Sequence, residues 1–202
     1  MFLSKLALVG ISARNPYDLH RQIWKAFPGR PDDSRPFLFR MEWVQRDGGS
    51  YSKGKDLAPL SVLLQSDVAP ASPPGGSLVV LACKEFEPRP RPGQILRFSL
   101  CANPTKRLNR ERAIVPLLRE EERLKWLAGR LGESAQLAEA SITDLRTVYF
   151  RPPGGRPGKI VSVTYTGYLQ VKQPAELVYR MKNGIGRGKA FGCGLLTCSA
   201  RV

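Results

Sequence analysis

Apolar residues fall in short runs divided by proline, glycine and charge, and their spacing switches between two and about four along the chain. The run from Phe2 to Val9 predicts a strand, as do Phe37 to Val44, Ser61 to Gln65 and Leu78 to Phe86. Between the first two, Leu19, Ile23 and Phe27 recur at every fourth position and predict a helix over Pro16 to Phe27. Asn15 suits its N-cap, Pro16 its first position, and Asp18 stands where a capping-box carboxylate would. The segment Asp67 to Gly76 occupies the place of a second helix, but its proline and glycine support one only weakly. Beyond Glu87-Pro88-Arg89-Pro90-Arg91-Pro92-Gly93, a stiff strand-breaking linker, the pattern starts again. Ile95 to Ala102 reads as a strand, Pro116 to Leu131 as a helix with an acidic first turn, and Ser141 to Phe150 and Lys159 to Val171 as strands. Pro174 to Lys182 reads as a helix and Gly194 to Arg201 as the closing strand.

The order is βαββαβ twice. At about 100 residues per domain, it predicts an α+β fold of two tandem ferredoxin-like, RRM-like domains, 1–87 and 94–202. Such sheets often carry RNA, although the fold alone establishes no function.

Charge narrows the choice. Thirty-two Lys and Arg against 17 Asp and Glu give a formal charge of +15 on 202 residues, a balance suited to a polyanionic partner. No stretch approaches ~20 apolar residues, and the N-terminus has neither the charged start nor the cleavage site of a secretory signal. The chain is therefore expected in the cytoplasm, with no membrane partner. Cys83, Cys101, Cys193 and Cys198 form no C-x-x-C pair or zinc-knuckle spacing and read as buried thiols.

Near the C-terminus Gly184-Ile185-Gly186-Arg187-Gly188-Lys189-Ala190-Phe191-Gly192-Cys193-Gly194 sets Arg187 and Lys189 among five glycines. Glycine allows positive φ and close approach of the main chain, so this run fits either a phosphate-binding surface or a turn before the last strand. An ATP-binding P-loop would need Ser or Thr after Lys189, where Ala190 stands. A second basic element, Asn103 to Arg112, carries Lys106, Arg107, Arg110 and Arg112 between a strand and a helix and reads as a protruding hairpin. Its long side chains suit the phosphates of an RNA stem or a solvated charged loop. Arg30, Arg35, Arg40, Arg151 and Arg156 are scattered, with no pattern to distinguish contacts from solvating charge.

His20 is the only histidine. It lies about 60° from Tyr17 and about 100° from Leu19 around a 3.6-residue helix, which puts both at the rim of the core. A surface histidine beside a packed tyrosine and an active-site pair both fit. One histidine cannot serve a two-histidine ribonuclease, Asp32 and Asp33 lie in a proline-rich loop, and Glu120, Glu121 and Glu122 match a helix dipole rather than a two-metal site. Metal-free cleavage of RNA by its own 2′-hydroxyl remains feasible, because the substrate brings the nucleophile. His20 can take the 2′-OH proton or give one to the leaving 5′-oxygen, Tyr17 can fill the other role or hold the phosphate, and Arg21 can neutralise developing charge. No metal or small-molecule cofactor is expected.

Several segments, in order along the chain, resemble the CasE type of CRISPR repeat-processing endoribonuclease. They are Phe2-Leu3-Ser4-Lys5, Asn15-Pro16-Tyr17-Asp18-Leu19-His20 with Phe27-Pro28, Ala102-Asn103-Pro104-Thr105-Lys106, Val115-Pro116-Leu117 with Lys125-Trp126-Leu127, and the glycine run with Leu195-Leu196. The resemblance implies tandem ferredoxin-like domains and metal-independent cleavage of the CRISPR repeat RNA at the 3′ base of its hairpin. It also implies a 2′,3′-cyclic phosphate on the upstream product and retention of the mature crRNA within the multisubunit Cascade complex in antiviral defence. On it, Tyr17 and His20 fall on the active-site positions, Arg21 on a variably basic one, and Lys106, Arg107, Arg110 and Arg112 in the stem-gripping hairpin. Gly184, Gly186, Arg187, Gly188, Lys189, Gly192 and Gly194 fall on a hallmark loop placed against the RNA and the catalytic helix. A non-catalytic RNA-binding subunit of a ribonucleoprotein is the alternative that the charge and fold allow.

Overall fold

Alternation along β1 (Phe2–Leu8) turns Ser4, Leu6 and Leu8 inward and leaves Lys5 in solvent. The structure, a computed structural model, describes residues 1–10, 16–29, 35–42, 60–108, 113–150, 155 and 158–200. The remaining elements of the first half are α1 (Pro16–Trp24), β2 (Phe37–Glu42), β3 (Leu60–Ser66) and β4 (Leu78–Glu85). β1 lies between β3 and β4, and the sheet runs β2-β3-β1-β4 with every described pairing antiparallel. Leu19 and Ile23 of α1 close over Leu6, Leu8, Phe39 and Leu64. Each such side chain, fully buried, contributes about 1.5–3 kcal/mol.

The second half holds β5 (Ile95–Ala102), β6 (Thr105–Arg107), β7 (Ile114–Pro116), α2 (Glu120–Leu131), β8 (Ala135–Phe150), β9 (Gly158–Val171), α3 (Pro174–Asn183) and β10 (Leu196–Ala200). Its main sheet runs β10-β5-β9-β8, again antiparallel. Numbered within its own half, each sheet has the order 4-1-3-2, so two ferredoxin-like sheets follow one another in the chain. Leu127 and Leu131 of α2 and Leu177 and Met181 of α3 cover Phe98, Leu100 and Tyr165.

From the face of the first sheet turned away from α1, side chains reach the second half. Gln65 donates from Nε2 to the Met181 carbonyl at 2.8 Å, and Arg40 donates from Nη1 to Ser99 Oγ at 3.1 Å. Arg40 thus carries an internal contact.

Four expectations need correction. Residues 67–77 contain no helix; the Ala71 N–H instead donates to the Ala26 carbonyl, so this irregular stretch packs beside the end of α1. The helix expected from Pro116 starts at Glu120, because Pro116 pairs with Thr105 in the β6–β7 hairpin. The strand expected from Ser141 starts at Ala135. Among the thiols, Cys83 is exposed, since β4 is a sheet edge whose outer half is open. The predicted N-cap Asn15, the loop aspartates Asp32 and Asp33, and Arg30, Arg151 and Arg156 lie outside the described residues.

Candidate active site and nucleic-acid interface

The phase of α1 puts Tyr17 and His20 at the margin of the first core: Leu19 and Ile23 are buried, while Tyr17 and His20 are half-buried. After Trp24 the chain tightens through Lys25→Gln22, Ala26→Ile23 and Phe27→Trp24 N–H to carbonyl bonds, which turn Phe27 back into the core. Arg21 is exposed and makes a 3.9 Å ion pair with Asp18, a weak surface contact.

The two rings are held differently. The Tyr17 ring meets Phe150 of β8 at 5.6 Å and Phe191 at 5.2 Å, edge to face in both cases, and these two phenylalanines stack on each other at 4.8 Å. The His20 ring sits 5.6 Å from Phe37 and 6.2 Å from Trp24, both within the first half. Its Nε2 is buried without a hydrogen-bond partner. Burial first, and then the Arg35 guanidinium, push the imidazole below its ordinary pKa of 6.5. At pH 7 the ring is neutral and able to accept a proton.

The glycine run is folded on itself. Its backbone donates from Gly184 to Arg180, from Ile185 to Gly194, from Phe191 to Gly188 and from Gly194 to Cys101, the last at 2.7 Å. Arg187 bridges to Asn103 beside the basic hairpin. Two glycines are needed for space as well as conformation: a Cβ on Gly184, at φ +74, would meet the Leu38 methyls at 2.9 Å, and one on Gly186, at φ +81, would meet the Trp126 ring at 2.9 Å. Gly188, Gly192 and Gly194 are also at positive φ. The loop acts first as a brace between the halves. From it a short 3₁₀ turn, Lys189–Phe191, lies directly on α1 and β2, carrying Phe191 to Tyr17.

Lys189 donates from Nζ to the Asn183 carbonyl at 2.5 Å, and burial, then the Arg35 charge, hold its ammonium below the usual range. The Arg35 charge therefore reaches both His20 and Lys189, while Arg187 is exposed beside Asn103.

Lys106 and Arg107 project from the hairpin, which the Leu108 N–H to Ala113 carbonyl bond closes at 2.8 Å. Lys106 pairs with Glu122 in the first turn of α2 at 2.9 Å, and Arg107 is exposed. Arg110 and Arg112 lie outside the described residues. Among the described residues no three of His, Cys, Asp and Glu converge as a metal-binding group, and no helix is long and apolar enough to cross a membrane.

Sequence reasoning did not single out Arg35, Phe37, Phe150 or Phe191. Arg35 was one of many arginines, and only its place beside Phe37 distinguishes it. Phe191 carried a signal, as the one aromatic residue inside the glycine run.

The model for the family of CRISPR associated proteins matches residues 1–199. The chain is 34% identical over 208 residues to the CRISPR system Cascade subunit CasE of Escherichia coli, covering 98% of each. It is 31% identical over 218 residues to the CRISPR-associated endoribonuclease Cse3 of Thermus thermophilus, covering 98% of this chain and 99% of that one. Its fold is similar to that of CRISPR endoribonuclease Cse3 bound to a 19-nucleotide RNA, with a TM-score of 0.82 and 31% identity over 98% of this chain and 100% of the other.

Proposed function

This chain belongs to the family of CRISPR associated proteins, and from that premise we propose that it is a metal-independent endoribonuclease that cuts CRISPR precursor RNA at the 3′ base of the repeat hairpin. The observation that carries this reading is a half-buried His20 with an unpartnered Nε2 and a lowered pKa, one helical turn from Tyr17 and within the field of the Arg35 charge, which also acts on Lys189. RNA brings its own nucleophile, so such a site needs only alignment, proton transfer and charge stabilisation.

The reaction balances without a co-reactant. The 2′-oxygen bonds to phosphorus, the bond from phosphorus to the 5′-oxygen breaks, and a proton lost from the 2′-OH is matched by one gained on the leaving oxygen. His20 accepts the first proton in its neutral form, and Tyr17 donates toward the leaving oxygen or the phosphate. Lys189 faces the phosphate. The products are a 2′,3′-cyclic phosphate and a 5′-hydroxyl.

Residues 1–87 act as the domain bearing the catalytic helix and 94–202 as the domain bearing the hairpin and loop. Lys106 and Arg107, with Arg110 and Arg112, follow the stem phosphates, and Arg187 and the glycine loop border the hairpin base. Arg21, open to solvent, serves RNA outside the reacting centre. The mature crRNA stays bound, within Cascade, in the cytoplasm. Names of relatives support this assembly: CasE is a Cascade subunit, and Cse3 is an endoribonuclease seen with RNA.

The test is cleavage of a synthetic repeat in EDTA, with product ends identified. Wild type is expected to give a cyclic phosphate and a 5′-hydroxyl, while His20→Ala binds without cutting. Binding with no product from wild type would instead favour a non-catalytic RNA-binding subunit.

A further inference from the structure

One cation at this site comes from neither α1, the hairpin nor the glycine loop. Arg35 stands two residues before Phe37, whose ring lies 5.6 Å from that of His20. Its backbone neighbourhood is fixed: the Pro36 carbonyl accepts from the Asp67 N–H at 3.0 Å, and Phe37 stacks on Phe27 at 5.3 Å. The guanidinium is half-buried, its Nε has no hydrogen-bond partner, and among the described residues no carboxylate pairs with it. Its charge acts on both His20 and Lys189.

The unused Nε donor costs stability as it stands, because it has lost water without gaining a hydrogen bond. Lys189 adds like-charge repulsion. An anion held between them would supply the missing partner and relieve the repulsion. The planar guanidinium presents its donors as a fork that matches two phosphate oxygens, whereas an ammonium acts as a point charge.

We propose that Arg35 is a further catalytic residue, gripping the non-bridging oxygens of the scissile phosphate together with Lys189 and neutralising the charge that builds as the 2′-oxygen attacks. This rests on the endoribonuclease reading above. It also gives the site an internal order: the phosphate satisfies Arg35 on arrival, which weakens its field on the imidazole and favours transfer of the 2′-OH proton to His20.

The experiment measures single-turnover cleavage of a synthetic repeat by wild type, Arg35→Met, Arg35→Lys and His20→Ala, with binding of a 2′-deoxy repeat and a pH profile for each. Arg35→Met is expected to lose about a hundredfold or more in cleavage rate, with deoxy-repeat binding changed by less than about threefold because the other contacts remain. Its acid limb moves up in pH, since Arg35 is, among the described residues, the charged group acting on the imidazole. Arg35→Lys, which keeps charge without the fork, loses about tenfold and decides the matter if the Met variant does not fold. Cleavage by folded Arg35→Met within about threefold of wild type, or by Arg35→Lys at the wild-type rate, overturns the proposal. An inactive His20→Ala beside such a result leaves the endoribonuclease reading standing, whereas a fully active His20→Ala removes both.

Discussion

Tyr17 and His20 are neighbours on one helix, yet different parts of the molecule hold them. His20 rests on Phe37 and Trp24, so among the described residues its ring neighbours belong to the first half. Tyr17 rests on Phe150 and Phe191, both supplied by the second half. The histidine environment tunes a proton equilibrium through burial and the Arg35 charge, whereas the tyrosine environment fixes a ring in place. The first is electrostatic and local; the second depends on how the halves dock.

The contrast breaks most severely at His20. His20→Ala is expected to lower cleavage by roughly 10²–10⁴-fold with binding retained, the range for a positioned acid or base. Tyr17→Phe keeps the ring packing and isolates the hydroxyl, so its smaller loss is read against the same binding assay. The pH dependence follows from the imidazole. With a folded pKa below 6.5, neutral His20 predominates at pH 7, and the rate falls as acid protonates the ring below that value. An acid limb above 6.5 in the concentration-limited rate would contradict this assignment.

The tyrosine side breaks through the brace. Gly186→Val places a branched side chain at φ +81 against Trp126, costing about 1–3 kcal/mol of stability. A lower Tm is expected, with cleavage falling further than repeat binding as the 3₁₀ turn shifts. Phe191→Ala is milder: it removes one wall from Tyr17 and is expected to slow cleavage by about tenfold, the loss that follows from poorer positioning of a reacting group. The acid limb should stay where it is, because Phe191 is not a neighbour of the imidazole ring. An equal shift of that limb in Phe191→Ala would show that the two settings are not separate.

The smallest effect belongs to the hairpin. Arg107→Ala is expected to weaken binding a few-fold and reduce the salt slope by about 0.7–0.9 for one lost phosphate contact, with the cleavage step unchanged. An unchanged slope would remove Arg107 from the RNA path.

Much of the frame was legible because local pattern and tertiary need agree there. Alternation set the strands, and the four-residue recurrence of Leu19 and Ile23 fixed the face of α1, from which the rim positions of Tyr17 and His20 follow. Boundaries failed where tertiary pairing won: Pro116 completes a hairpin strand instead of opening a helix. The glycine run was readable as special but not as a brace, since its tight contacts are with Leu38 and Trp126, far away in sequence. Arg35 and Phe150 were not legible. Their roles come from packing between segments that no local period relates.

The most direct test of the central claim is a repeat carrying a single 2′-deoxy nucleotide just upstream of the cut, incubated with the wild-type chain in EDTA beside the all-ribose repeat. The account predicts equal binding, full cleavage of the ribose repeat and none of the deoxy repeat; cleavage of both at the same rate would contradict it.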